Sequence, residues 1–190
     1  REHKVDMQYA KIELSFKPEN KLVIGKITHT FISLQNDVKK IFLDGIDMTY
    51  KSVKIDGELA QYEKDTKGIT IKFANSIHRG AEHQLEIEYE AKPWKGLYFI
   101  GWNDSNNLSR KQIWSQGQGI DNRHWIPMYD ERNDKIISEM NVTFDNQYKV
   151  LSNGKKLKEK NNKDGTKTWQ YKISHPHSAY LIMLGIGEYE

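Results

Sequence analysis

The chain has no cysteine. Disulfides and thiolate metal sites are therefore excluded, although the absence fits a reducing or an oxidising compartment equally. No apolar run approaches the roughly 18 residues that a helical membrane span needs, and no secretory leader is visible. An excess of one charge is also missing, because 29 Lys and Arg against 26 Asp and Glu leave only +3. That balance gives no concentrated basic face, so nucleic acid is not an expected partner. The single basic run, Lys155 to Lys163, lies beside Asp164-Gly165 between strand-like segments and reads as a solvated hairpin. The first residue is Arg1 and not Met, which fits a trimmed or processed chain, and the expectation leans towards export to a periplasm or the cell exterior.

Catalytic motifs are missing too. None of the 7 histidines stands in an H-E-x-x-H helix, so no zinc-hydrolase site is expected in this chain. His175-Pro176-His177 places two imidazoles on one strand face, but no third ligand lies nearby, and the pair reads as polar residues at a strand start. There is no G-x-S-x-G elbow. The Gly-Gln-Gly at 117–119 neither follows a Rossmann-type strand nor opens a helix, so it is not a phosphate loop. By its own residues the chain looks like a binding or scaffolding unit.

What is present is a period of two. In YAKIELSF, Ala10, Ile12, Leu14 and Phe16 share one face, while Lys11, Glu13 and Ser15 share the other. LVIGKITHTFISL continues after the turn at Pro18-Glu19-Asn20, so residues 5–34 read as a long antiparallel pair, with a bulge or bend expected at Gly25. Further strands are expected near 38–43, 47–55, 60–64, 69–74, 84–91 and 97–100, then near 111–116, 137–144, 147–152, 155–158, 166–174 and 179–188. Asp56-Gly57, Lys67-Gly68, Asn153-Gly154 and Asp164-Gly165 stand at hairpin positions. A short piece after Asn75 is the best helical candidate, on a weak pattern. The expectation is an all-β fold, a large antiparallel sandwich or saddle formed by residues 1–190 as one domain.

One segment is unlike an ordinary connection: IWSQGQGIDNRHWIPMYDERNDK, residues 113–135. From an extended strand Gln116 and Gln118 point the same way, and each offers an acceptor and two donors, which suits an amine or a peptide end. Gly117 and Gly119 are expected to leave the backbone open between them. The simpler alternative is a strand that leaves the core and turns its glutamines to water. Asp121, Arg123 and Asp130, set among Trp125, Ile126 and Tyr129, are expected to be partly buried and paired, with an Arg123–Asp130 ion pair. His124 and Trp125 are expected to pack.

The same segment resembles zinc aminopeptidases of the aminopeptidase N type, including the leukotriene hydrolase branch. Their pattern is close to T-Q-x-E-x-x-x-x-R, then an aromatic, Pro, and F/Y-D-E-P with a Lys shortly after. Here it reads Ser115-Gln116-Gly117-Gln118, then Arg123, Pro127, Tyr129-Asp130-Glu131 and Lys135, without a gap. FLDGIDMTYKSVKIDG, LEIEYEAKPWKGLYFIG, YKVLSNGK and SAYLIMLGIGEYE resemble other family segments in the same order, so the likeness covers essentially the whole chain. Gln118 stands where Glu is commoner, Met128 where Cys is common, and Arg132 where Pro is usual.

The resemblance implies a saddle-like N-terminal domain that packs on a thermolysin-like catalytic domain. It also implies that Gln116 lines the pocket for the first substrate side chain and that Gln118 helps hold the α-amine of a peptide N-terminus. Asp121, Arg123 and Asp130 would then be structural support. The family's G-x-M-E-N loop and zinc helix do not occur here, so the chain alone is expected to be inactive and to hold no cofactor, with zinc in the missing catalytic domain. Two other readings stay open. One is a stand-alone sandwich that binds peptide or carbohydrate through Trp94, Trp102, Trp114 and Trp125; the other is an inactive relative serving as scaffold or receptor.

Overall fold

A computed structural model describes residues 3–105 and 108–189. The first half of the chain forms β1 (Val5–Lys17), β2 (Leu22–Ser33), β3 (Val38–Asp44), β4 (Thr49–Ile55), β5 (Glu58–Leu59), β6 (Gln61–Lys64), β7 (Gly68–Ile77) and β8 (Glu82–Ala91). Then come β9 (Leu97–Ile100), β10 (Gln112–Ser115), β11 (Ile136–Asp145), β12 (Lys149–Ser152), β13 (Lys155–Asn161), β14 (Thr166–His177) and β15 (Leu184–Gly187). The only helical pieces among the described residues are 3-10 turns at Pro18–Asn20, Asp121–His124 and Ala179–Leu181. The fold is all-β, as the alternation predicts.

Eight strands make one large sheet in the order β13-β14-β11-β1-β2-β8-β4-β5. A four-stranded sheet runs β12-β15-β10-β9, and a three-stranded one runs β3-β7-β6. Neighbours are antiparallel except at the centre of the large sheet, where β1 and β11 pair in parallel from Tyr9↔Ile137 to Leu14↔Val142. The two smaller sheets pack on the same face of the large one. Phe16 of β1 meets Phe99 of β9, Phe31 of β2 meets Phe73 of β7, and Tyr171 of β14 donates to Val150 O of β12 at 2.8 Å.

The period of two explains which face is covered. Ala10, Ile12, Leu14, Val23, Ile27, Phe31, Leu85, Ile87, Val142 and Trp169 all point into one continuous core. Lys26 and Glu86 pair across the opposite face at 2.7 Å, as do Lys51 and Glu90 at 3.1 Å, so that face carries cross-strand charge pairs towards water. At one edge every residue of β13 is exposed, and four of its seven are lysines, which discourages a further strand from adding there. At the other edge β5 has only two residues. The basic run at 155–163 is thus a hairpin edge.

Two local expectations are corrected, and a third holds for a different reason. Gly25 keeps its register with Leu14 and Tyr89, and the bulge of this pair lies between Met7 and Tyr9 instead. A Cβ at Gly25 would meet the Tyr89 ring at 2.4 Å, so the glycine makes room for an aromatic ring. The segment after Asn75 is not helical, because it continues β7 through Ile77. Lys67-Gly68 does sit between two paired strands, but a Cβ at Gly68 would fall 2.0 Å from Leu43 O, so close strand approach is what selects glycine there. Asp56 and Gly57, by contrast, both have positive φ (51° and 89°), the backbone that a tight two-residue hairpin requires.

Candidate functional site

β10 leaves the four-stranded sheet after Ser115, and the chain turns at 116–120 before the 3-10 turn Asp121–His124. Gln116 and Gln118 are both exposed. Their side-chain amides face each other, with Gln116 Nε2 at 3.5 Å from Gln118 Oε1, the long limit of a hydrogen bond. They therefore present a neighbouring pair of primary amides to solvent. Gln116 is anchored through its backbone, which donates to Gly96 O at 2.9 Å.

The glycines differ from expectation. Gly117 is buried, and a Cβ there would stand 2.5 Å from both side-chain heavy atoms of the Asn122 amide and from Tyr180 O. Its backbone is enclosed and not open, and the close approach of Asn122 is the reason for glycine. Gly119 is exposed with φ +86°, so it turns the chain.

Asn122, which no pattern in the sequence marks, is the hub of this support. It is fully buried; its Nδ2 donates to Ala179 O at 2.9 Å and to Ile182 O at 3.1 Å, and its Oδ1 accepts the Trp125 indole N–H at 2.9 Å. The turn after β10 is thereby tied to the segment that enters β15. Trp125 is fully buried as well, and its carbonyl accepts the Tyr89 hydroxyl at 3.0 Å. Two residues on, Pro127 O accepts the His29 Nε2–H at 3.0 Å. Burial holds His29 neutral and lowers its pKa to about 4.

Arg123 bridges two buried carboxylates. Its Nε reaches Asp130 Oδ2 at 3.2 Å, a terminal nitrogen donates to Asp130 O at 2.8 Å, and the other meets Asp44 Oδ1 at 3.1 Å. Asp44 Oδ2 in turn accepts the Asp130 N–H at 3.1 Å, and the Asp44 backbone exchanges two hydrogen bonds with Met128. Asp44 is a second residue that alternation does not reveal, since Ile41 and Leu43 set the buried face of β3 and Asp44 would then point outwards. Burial raises the Asp130 carboxyl above the ordinary range, and Arg123 draws it part of the way back.

Asp121 stands apart from that group. Its carboxylate pairs with Lys95 at 3.0 Å, and its carbonyl accepts the His124 Nδ1–H at 3.0 Å. His124 is buried with its ring edge against Trp94, 4.9 Å between centroids, so it packs. The His175-Pro176-His177 pair does not face one way: His175 is exposed, whereas His177 is buried, with Nδ1 donating to Ser178 O at 3.0 Å and Nε2 at 2.8 Å from Ser138 Oγ. Both nitrogens of His177 are thus engaged. The four tryptophans likewise form no shared platform, because Trp125 lies in the core and Trp102 packs on Phe144 and Tyr148.

Residues 6–181 match the Peptidase M1 N-terminal domain family. The chain belongs to that family. Among curated relatives, this M1 N-terminal domain is 28% identical over 160 residues to "Probable aminopeptidase 1" of Sulfurisphaera tokodaii, covering 84% of this chain and 19% of that protein. It is 24% identical over 198 residues to leukotriene A-4 hydrolase of Xenopus laevis, covering 98% of this chain and 32% of that protein. The crystal structure of an M1 zinc metallopeptidase from Deinococcus radiodurans shares the fold with a TM-score of 0.83 at 17% identity, over 97% of this chain and 42% of that one. A variant of that enzyme bound to the substrate Tyr-Ser-Ala gives the same score. The M1 N-terminal domain therefore spans about a fifth to a third of these two curated relatives.

Proposed function

We propose that residues 1–190 form the non-catalytic N-terminal β domain of a zinc aminopeptidase, which removes amino acids from peptide N-termini. On this reading the catalytic domain and its zinc lie outside the chain, whose histidines offer no zinc helix. The chain's own part is to dock on that domain and to supply one edge of the substrate site. Gln116 lines the pocket for the first side chain, and Gln118 accepts a hydrogen bond from the substrate ammonium. Asp121, Arg123 and Asp130 hold the turn that carries them.

The observation that carries this reading is the pair of exposed amides on a turn whose base is buried and fully bonded, since a recognition group needs rigid support. Family membership over residues 6–181 supports it. A docking face lies next to the pair. On the outer side of the four-stranded sheet, Leu151, Gly185, Trp114 and Tyr98 stand in one cross-strand row, with Leu151 and Trp114 exposed and Trp114 two residues from Gln116. Ile120, Leu181 and Met183 add exposed apolar side chains from nearby segments.

Hydrolysis of a panel of aminoacyl fluorogenic amides tests the proposal. The chain alone is compared with the same chain extended through its natural downstream sequence, with and without zinc. Activity only in the extended, zinc-loaded protein supports the reading; activity in the isolated chain, or in neither form, refutes it.

A further inference from the structure

A second cluster lies away from the glutamine pair, where the start of β1 meets the loop that leads into β11. There His3, Asp6 and Asp134 bring one imidazole nitrogen and two carboxylate oxygens within 4.8 Å of one another. Asp134 is only 3% exposed, yet its Oδ1 has no hydrogen-bond partner among the described residues. Its Oδ2 accepts the Met7 N–H at 3.3 Å and stands 3.6 Å from His3 Nε2, within ion-pair range of that imidazole when it is protonated but beyond a direct hydrogen bond. His3 Nε2 is itself buried and without a partner among the described residues. A buried carboxylate left in this state is costly unless something positive completes it.

The one spacing that joins the imidazole to a carboxylate also suits a shared ion. Ligands about 2.0–2.2 Å from one tetrahedral cation stand about 3.3–3.6 Å apart, and His3 Nε2 lies 3.6 Å from Asp134 Oδ2. The side chains are also held in place. The His3 ring stacks on Tyr129, 5.4 Å between centroids and 26° from parallel, and the Gln8 amide donates to Asp6 Oδ2. Such outer contacts orient ligands before an ion arrives.

We infer that His3, Asp6 and Asp134 form a divalent transition-metal site, of zinc type, that fastens the start of β1 to the loop before β11. One imidazole with two carboxylates favours Zn²⁺ over Mg²⁺ or Ca²⁺, which prefer all-oxygen shells. Three protein ligands leave one position for water or an external group. The parallel ladder between β1 and β11 begins only at Tyr9↔Ile137, so the ion would clamp these segments just before that ladder starts. The site stands apart from the zinc expected in a downstream domain, because all three ligands belong to this chain.

The test uses the protein at its natural length, stripped of metal and titrated calorimetrically with Zn²⁺, with Mg²⁺ in parallel. Wild type is expected to bind one Zn²⁺ more per chain than His3→Ala and Asp134→Asn, while His175→Ala matches wild type. Hydrogen exchange at residues 3–8 and 131–135 should slow with Zn²⁺ in wild type and not in His3→Ala. Equal stoichiometry in all four proteins, or loss of the extra ion with His175→Ala instead, overturns the site. Binding of Mg²⁺ in place of Zn²⁺ overturns the assignment of metal class. Should Asp134→Asn fail to fold, His3→Ala decides alone, since His3 precedes the first strand.

Discussion

Arg123 grips Asp130 twice, through the carboxylate at 3.2 Å and through the backbone carbonyl at 2.8 Å, with Asp130 itself only 2% exposed. The guanidinium then closes on Asp44 at 3.1 Å, so one cation neutralises two buried carboxylates from segments far apart in sequence. Deleting it removes the guanidinium charge from beside both acids. Arg123→Met should cost about 3–5 kcal/mol of unfolding free energy, the usual scale for breaking a buried pair. Asp130→Asn in the same chain should recover part of that loss. Urea unfolding of the two variants measures this, and a loss below about 1 kcal/mol for Arg123→Met would show the network to be dispensable.

Asn122 makes a comparable prediction by a different route. Its side chain satisfies two carbonyls and one indole N–H, all buried. Asn122→Ala removes those partners and should cost about 1–3 kcal/mol per group left unsatisfied. Gly117→Ala pushes a methyl to within 2.5 Å of the same amide and should cost about 1–3 kcal/mol through strain. Thermal unfolding is the measurement. A Gly117→Ala variant as stable as wild type would mean that the turn is not packed against Asn122 as described.

These residues also mark where the sequence stops being informative. Alternation in β1, β2, β8 and β11 shows which side chains are inward, because one covered face demands it. Alternation carries no direction, so the parallel pairing of β1 with β11 across more than a hundred residues left no local trace. Glycine identity was legible but its cause was not. At Asp56-Gly57 the backbone selects it, whereas at Gly25 and Gly117 a distant ring or amide fills the space where Cβ would be. Within the site segment, the Arg123–Asp130 pair was foreseeable from charges set among aromatics, since burial demands pairing. Asp44 and Asn122 were not, because each acts on partners brought near only by tertiary folding.

Gln118 should separate function from stability. It is exposed, and the one side-chain hydrogen bond given for it among the described residues is the long one to Gln116. Gln118→Ala should shift stability by less than about 0.5 kcal/mol. In the extended protein it should raise KM for aminoacyl amides, and Gln118→Glu should lower KM, because a carboxylate holds an ammonium more strongly than a neutral amide oxygen does. Steady-state kinetics beside melting curves checks both parts. A large fall in Tm for Gln118→Ala would place the residue in the scaffold and remove the case for substrate contact.

His29 gives the chain a dependence on pH that can be assigned to one residue. The folded protein lowers its pKa from 6.5 to about 4, chiefly by burial, so between those values the unfolded chain binds a proton that the folded chain refuses. The stabilising contribution is complete above about pH 6.5 and declines as pH falls towards 4, by about 3 kcal/mol for a shift of this size. The diagnostic is therefore the difference between wild type and His29→Gln, followed by urea unfolding from pH 7.5 to 4. The variant starts less stable, since the imidazole bond to Pro127 O is altered, but it should lose less stability on acidification. Parallel curves for the two proteins would mean that His29 takes up its proton as readily in the folded chain as in the unfolded one, and that its site is less secluded than its 1% exposure implies.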